Sequence, residues 1–493
     1  MSASSTSSES GRKPTTTLPI DDEDSHEESG RSEAKAPEKT PSEAKEEKMS
    51  HIFLQSLPPL LIGGCGLIAS GIFLSSSMKW SIMSHVCEVL ILIPAFIGMK
   101  GNIEMSFSSR LSTMSHLGYI DENKAMWRIF LTNTALVQAQ SILLSLFASV
   151  VAIAIHCFKN SFNIQRSILM TSTAVTAGSV SSLVMIVLMV LVIYACPKLG
   201  INPDNVAAPI AASIGDIVAL ASFIGIGTVL FNVCEGSDRL CPWSLFLLIA
   251  LLLLTPVLIY LASREKKNRG VLKWGWWAPS VAVIISSFGG YALEFGMKNF
   301  DAMESFVPLI AGLGGNRCAV QASRISTSLH RSKIPIGVLP LGNLWAYLNP
   351  IRAFFSKDVD SRTAQILIVS SIPVQFFFVS MLVLVVQWAE IDAISWNFTF
   401  IGSYTLTTLV QVVILMYFTQ FLVHALWRFR ADPDHSSIPL ITAIGDLLGI
   451  VLLLALFATL MQLNSESVWF KPDRQFSGDH CGRRTYAKED QTR

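Results

Sequence analysis

Charge is what this chain has least of. Asp, Glu, Lys and Arg make up 15% of its 493 residues, apolar residues 51%, and the mean hydropathy is +0.49. Soluble domains carry about 25% charged residues, so a soluble globular fold is excluded. Zinc-ligand spacing is missing as well. The eight cysteines (Cys65, Cys87, Cys157, Cys196, Cys234, Cys241, Cys318 and Cys481) form no CxxC pair, and most sit in or beside apolar runs as small hydrophobes. No GxSxG, HExxH, Walker loop or rhomboid-like Ser/His pair occurs, so no enzyme is expected. There is no basic-aromatic surface for nucleic acid. The first fifty residues lack a signal-peptide apolar stretch and nearly every large apolar side chain, with twelve acids against seven bases. Such a segment cannot bury a core and is expected to be a disordered cytosolic tail, with the first span serving as the insertion signal.

What the chain has in abundance is long apolar runs. Eleven are read as bilayer-spanning helices: about 52–75, 87–109, 128–157, 167–194, 207–233, 243–262, 276–297, 303–325, 363–389, 399–427 and 437–463. Each covers a hydrocarbon core of about 30 Å. The expected fold class is an all-α polytopic membrane protein with the lipid bilayer as its solvent. Short-loop basic residues orient it. With the N-terminus in the cytosol, Arg264, Lys266, Lys267, Arg269 and Lys273 lie inside after span six. Arg331, Lys333, Arg352, Lys357 and Arg362 lie inside after span eight, while the outer loops carry about one basic residue each or none. The odd count puts the C-terminus outside. Cys234 and Cys241 flank the outer loop CEGSDRLC, where both a disulfide and two free thiols are open readings, and Asn397-Phe398-Thr399 is an outer sequon that abuts span ten.

Two motifs recur. NPDNVAAPIAASIGD at 202–216 returns as DPDHSSIPLITAIGD at 432–446, matching Pro203, Asp204, Pro209, Gly215 and Asp216 to Pro433, Asp434, Pro439, Gly445 and Asp446. PAFIGMKGNIEMSFSSRLST at 94–113 returns as PLIAGLGGNRCAVQASRIST at 308–327, with an offset of about 214 residues against about 230 for the Asp motif. The loop at 328–362 can hold the surplus. Each half then has five spans, with the Pro–Gly–Asn motif on its second and the Asp motif on its fifth. The sixth span has no counterpart and restores the second half to the orientation of the first. The halves are expected to be parallel, related by a pseudo-twofold axis along the membrane normal, with Asp216 and Asp446 at equal depth.

An Asp at a helix centre costs about 2.5–3.5 kcal/mol on insertion scales. Two at equal depth repel unless protonated or bridged by a cation. Their two charges and hard oxygens suit Mg²⁺ or Ca²⁺, and Mg²⁺ keeps most of its water. The plainer reading has each Asp hydrogen-bonded to a neighbouring helix. Asn102 and Asn316 are candidates to face the same ion, or else to make interhelical hydrogen bonds. Pro209 and Pro439 are expected to break their helices and free carbonyls as further ligands. Asp204 and Asp434 read as N-terminal caps. Lys100 and Glu104, four apart, read as an intrahelical pair with no charged mates at Gly314 and Cys318. The Ser/Thr-rich stretch 171–182 reads as close helix packing.

At these motifs the chain resembles solute carrier family 41, eukaryotic relatives of bacterial MgtE-type magnesium channels, over about 52–463. The resemblance implies Mg²⁺ transport by a tandem duplication of a five-span unit, with an Asp of each fifth span coordinating hydrated Mg²⁺ in a central pore. Those positions are Asp216 and Asp446 here. It allows Na⁺ as a coupling ion and leaves self-association of the chain open. Arg317 and Cys318 stand where small apolar residues are expected after Gly-Gly-Asn. The expected organisation is a tail at 1–50, repeat one at 51–235, a linker helix and basic loop at 236–274, repeat two at 275–464 and a tail at 465–493. The expected location is the plasma membrane. Two other functions fit the same residues: transport of a different cation, and a non-conducting Mg²⁺-binding sensor or scaffold.

Overall fold

Backbone amides in hydrocarbon have no water to bond, so apolar runs of this length satisfy them internally as helices. The computed structural model describes residues 49–86, 88–116, 123–158, 162–198, 203–234, 241–300, 302–331, 334–340, 342–356, 359–389 and 396–463. Both expected tails lie outside these residues, apart from the first turn of the first helix. Fourteen α-helices follow: α1 Met49–Ser77, α2 Ser81–His85, α3 Glu88–His116, α4 Asn123–Cys157, α5 Ile164–Lys198, α6 Pro203–Cys234, α7 Pro242–Ser263, α8 Lys266–Trp274, α9 Trp277–Asn299, α10 Met303–Arg331, α11 Pro350–Phe355, α12 Val359–Trp388, α13 Phe398–Arg428 and α14 Pro433–Gln462. Each expected span has its helix, and α2, α8 and α11 are short connectors. Among the described residues nine helices are long and apolar enough to cross a membrane. The two outside that set are α1, whose described apolar part is Leu61–Ser77, and α10, which carries Glu304, Arg317 and Arg324. The chain is a multi-pass membrane protein.

Within the first half α3 packs on α4 and α6, and α5 on α4 and α6. Within the second, α10 packs on α12, α13 and α14. The surplus of the second half sits where expected, between α10 and α12, as a 3₁₀ turn at Leu344–Leu348 followed by α11. Side chains of Asn343 and Asn349 cap these two turns. The insert is held to α13, where Tyr417 Oη donates to Leu348 O at 2.6 Å and Trp427 Nε1 to Val338 O at 2.9 Å. Cys234 and Cys241 are joined by a disulfide, which decides between the two readings of that loop. Asn397 is the N-cap of α13, accepting from the Thr399 N–H at 2.9 Å.

The first helix of each half makes a close backbone contact with the other half. A Cβ added at Gly71 of α1 would fall on the Ser305 carbonyl oxygen of α10, and one at Gly290 of α9 on the Ile91 carbonyl oxygen of α3. Gly71 and Gly290 share the offset that separates Leu74 from Leu293, and Ile91 and Ser305 share that of the Pro–Gly–Asn motif. The two crossings are thus one contact made twice. Because a backbone carbonyl blocks the added methyl, Gly71→Ala or Gly290→Ala forces two helices apart. We expect each to cost at least the upper part of the about 1–3 kcal/mol typical of overpacking, read as a fall in thermal unfolding temperature in detergent. The control is Gly402→Ala, where an added Cβ meets nothing within 4 Å.

Small and hydroxylated residues make the other close contacts, as lipid-solvated helices require. The 171–182 stretch of α5 packs on α4 as expected. Ser141 Oγ donates to Gly178 O at 2.9 Å, and Gln138 and Ser179 exchange hydrogen bonds, Nε2 to the Ser179 carbonyl at 3.1 Å and Ser179 Oγ to Oε1 at 2.7 Å.

Candidate functional site

One cavity of about 80 Å³, room for several waters, is lined by both motif pairs. From α3 come Pro94, Gly98, Gly101 and Asn102; from α10, Pro308, Gly312, Gly315 and Asn316; from α6, Asp216; from α14, Asp446. Ile93 faces it beside Val307, and Leu74 of α1 beside Leu293 of α9, again as offset mates. Equivalent residues of the two halves therefore meet around one space. All four expected site residues are brought together.

The helices place the carboxylates by leaving out side chains. Gly98 brings α3 so close to α14 that an added Cβ would lie 3.0 Å from Asp446 Oδ2; at Gly101 it would lie 3.7 Å from Asp216 Oδ1. Both carboxylates are only partly buried, because they open onto the cavity. Ser286 of α9 donates to Asp446 Oδ2 at 3.4 Å. Its offset mate in α1 is Leu67, which packs at Gly312 instead, so the two Asp residues have unequal neighbours. Asn102 is buried, and its Oδ1 accepts from Thr442 Oγ1 at 3.2 Å, a bond between the halves. Asn316 is partly buried at the cavity wall.

Three expectations need correction or placing. Pro209 and Pro439 do not break their helices: α6 and α14 run continuously from Pro203 and Pro433. Each proline lies in the second turn, where the missing N–H and the clash with the preceding turn are borne without interrupting the helix. Arg317, next to Asn316 in sequence, is buried and takes no part in lining the cavity. The side chains of Asp204 and Asp434 lie outside the described residues.

Lys100 and Glu104 pair at 3.1 Å, both fully buried. The ammonium also donates to Ser141 Oγ and Gly178 O, both at 3.1 Å, and to Ser182 Oγ. Glu104 Oε2 lies against Gly215, where an added Cβ would strike it, one residue from Asp216. In the second half the space opposite Gly314 is taken by Gln411, whose Nε2 donates to the Gly445 carbonyl at 3.0 Å. The polar support of the site is thus ionic in one half and neutral in the other. Among the described residues no group of three His, Cys, Asp or Glu side chains is gathered to hold a metal. The cavity wall carries two carboxylates and two side-chain amides.

Two stretches of the chain, 93–226 and 307–456, match the family model MgtE, described as a divalent cation transporter. The chain is 38% identical over 403 residues to solute carrier family 41 member 2 of Homo sapiens, covering 81% of this chain and 69% of the relative. It is 34% identical over 426 residues to member 3 of Rattus norvegicus, covering 84% and 90%. The chain belongs to solute carrier family 41. No solved structure matches it. The two matched stretches of this family-41 chain begin beside Pro94 and Pro308 and end beyond Asp216 and Asp446, so each contains one copy of both motifs. Membership places it among divalent cation transporters.

Three residues at the site were not anticipated. Thr442 was legible in principle, since it stands four residues before Asp446 and so on the same helical face. Ser286 and Gln411 belong to neither motif and carry no sequence signal of their own.

Proposed function

We propose that this family-41 chain carries Mg²⁺ across the membrane through the cavity between its halves. Asp216 and Asp446 hold the partly hydrated ion, and Asn102 and Asn316 receive its waters. The observation that supports this best is the convergence of both Asp residues, one from each half, on a single cavity lined by offset mates. Two carboxylates neutralise one divalent ion, and a cation that sheds water reluctantly needs no complete protein cage. The repeats run over 51–235 and 275–464, parallel to one another, with 236–274 linking them and tails at 1–50 and 465–493. The N-terminus faces the cytosol of a plasma-membrane protein. A negative interior favours entry of a divalent ion by about 4.6 kcal/mol per 100 mV, twice the single-charge value, so export requires a coupling ion such as Na⁺.

The test fills the cavity without changing its charge. Gly98→Val sets a side chain between α3 and Asp446. In proteoliposomes containing a Mg²⁺-sensitive dye, wild type is expected to pass Mg²⁺ under a set voltage, and the variant at least tenfold less, with helix content retained. Equal flux through both would remove the cavity from the path. Reversing the Na⁺ gradient at fixed voltage separates coupled exchange from passive conduction.

A further inference from the structure

The linker helix α7 belongs to neither repeat, and most of its surface is exposed apolar side chain. It packs chiefly on α4 and α5, with the amphipathic α8 turned back against α4 and α7. Between α4, α7 and α8 lies a groove of about 880 Å³. Its walls include Leu131, Leu258 and Leu261, and its rim carries Arg128, Arg264 and Arg269. All three arginines are exposed, and among the described residues none pairs with a carboxylate. Arg269 Nε donates to Ser263 O at 2.8 Å, and Arg264 lies over the Tyr260 ring at 5.4 Å, which leaves most of their N–H groups free. Lys266 and Lys273 add charge nearby, opposed within α8 and its cap by Glu265 alone.

The level of this groove in the membrane is marked by aromatics. Trp127, Trp274 and Trp277 are exposed around it, with Lys273 over the Trp274 ring at 5.5 Å, while Val271 and Leu272 of α8 turn inward onto Ala135, Leu136 and Ala262. Exposed tryptophans beside a basic amphipathic helix are the mark of the headgroup layer. Arginine clusters at that layer, above an apolar groove between helices, match the anatomy of an anionic phospholipid: phosphate on guanidinium, acyl chain along leucine.

We propose that this groove is a specific binding site for an anionic phospholipid of the cytosolic leaflet, with Arg128, Arg264 and Arg269 holding its phosphate groups and Leu131, Leu258 and Leu261 its acyl chain. The site is separate from the ion cavity; its assignment to the cytosolic leaflet rests on the orientation proposed above. The test is native mass spectrometry of the full chain in detergent with equal amounts of phosphatidylcholine and phosphatidylinositol 4-phosphate. Wild type is expected to retain the anionic lipid at least tenfold over phosphatidylcholine. Arg128→Ala/Arg264→Ala/Arg269→Ala is expected to lose that preference. The triple Arg→Lys variant keeps most of it, and Arg352→Ala/Arg362→Ala, in another basic loop, leaves it intact. A triple Ala variant that unfolds is replaced by Leu258→Trp, which fills the groove and is expected to lower retention with the arginines in place. Water-soluble inositol phosphate is expected to bind at least tenfold more weakly than the lipid. Equal retention of both lipids by wild type, undiminished retention after loss of the arginines, or binding of the soluble headgroup as tight as that of the lipid would each overturn the proposal.

Discussion

Asp216→Asn and Asp446→Asn are each expected to lower Mg²⁺ flux on the order of a hundredfold, equivalent to about 2.7 kcal/mol of barrier. Each removes one of the two carboxylates that line a single cavity, the pair proposed to hold a divalent ion. The double variant is expected to be little worse than either single one, because two ligands of one ion act as a unit. The same substitutions should act in the opposite direction on the ion-free protein. Two carboxylates opening onto one cavity repel each other, so removing one charge raises the unfolding temperature measured in a chelator. The further rise that Mg²⁺ brings to wild type, which follows from binding the folded state alone, should vanish. Proteoliposome flux and thermal unfolding with and without Mg²⁺ check both arms. A variant that loses flux and is also less stable in chelator would point to damaged packing instead of a lost ligand. Undiminished flux in both single variants would take the carboxylates off the ion path.

The second large effect concerns the buried pair beside the site. Lys100→Met leaves the Glu104 carboxylate enclosed in protein with no cation, 3.1 Å from where the ammonium stood. Removing one member of a buried ion pair costs about 3–5 kcal/mol, whereas replacing both with neutral groups of similar shape is often close to neutral. We therefore expect Lys100→Met to unfold at a much lower temperature, and Lys100→Met/Glu104→Gln to recover most of the loss. The second half offers a natural precedent for the neutral version. Gly314 and Cys318 occupy the matching positions, and Gln411 fills the space with an amide that bonds the Gly445 carbonyl at 3.0 Å. Stability of Lys100→Met equal to wild type would mean that Glu104 finds another counter-charge.

Much of this protein was legible in the chain itself. Apolar runs interrupted by basic loops define the helices, because hydrocarbon leaves the backbone no other way to satisfy its amides. The repetition of PAFIG…NIE…SSRLST and PLIAG…NRC…ASRIST, and of the two Pro-Asp…Ile-Gly-Asp stretches, marked residues that line one cavity. A carboxylate is too costly in lipid to occur twice at matched positions without a partner. Even the place of the inserted turn between α10 and α12 followed from the difference between two offsets. The Lys100–Glu104 pair was readable from four-residue spacing alone.

Other features required the packed molecule. Pro439 reads as a break, yet α14 passes through it, because one missing N–H in the second turn is a small loss against the packing of α14 on α9, α10 and α13. Which helix belongs to which half in space was hidden too. Connectivity puts α1 in the first half and α9 in the second, while close approach at Gly71 and Gly290 sets each against a helix of the other half as well. The inequality of the two Asp sites, with Ser286 donating at one and its offset mate Leu67 packed at Gly312, also shows only in the packed molecule. A periodic sequence determines how many helices form and which residues share a face. Which faces meet depends on contacts between residues far apart in the chain, where a single missing Cβ decides how near two backbones can come.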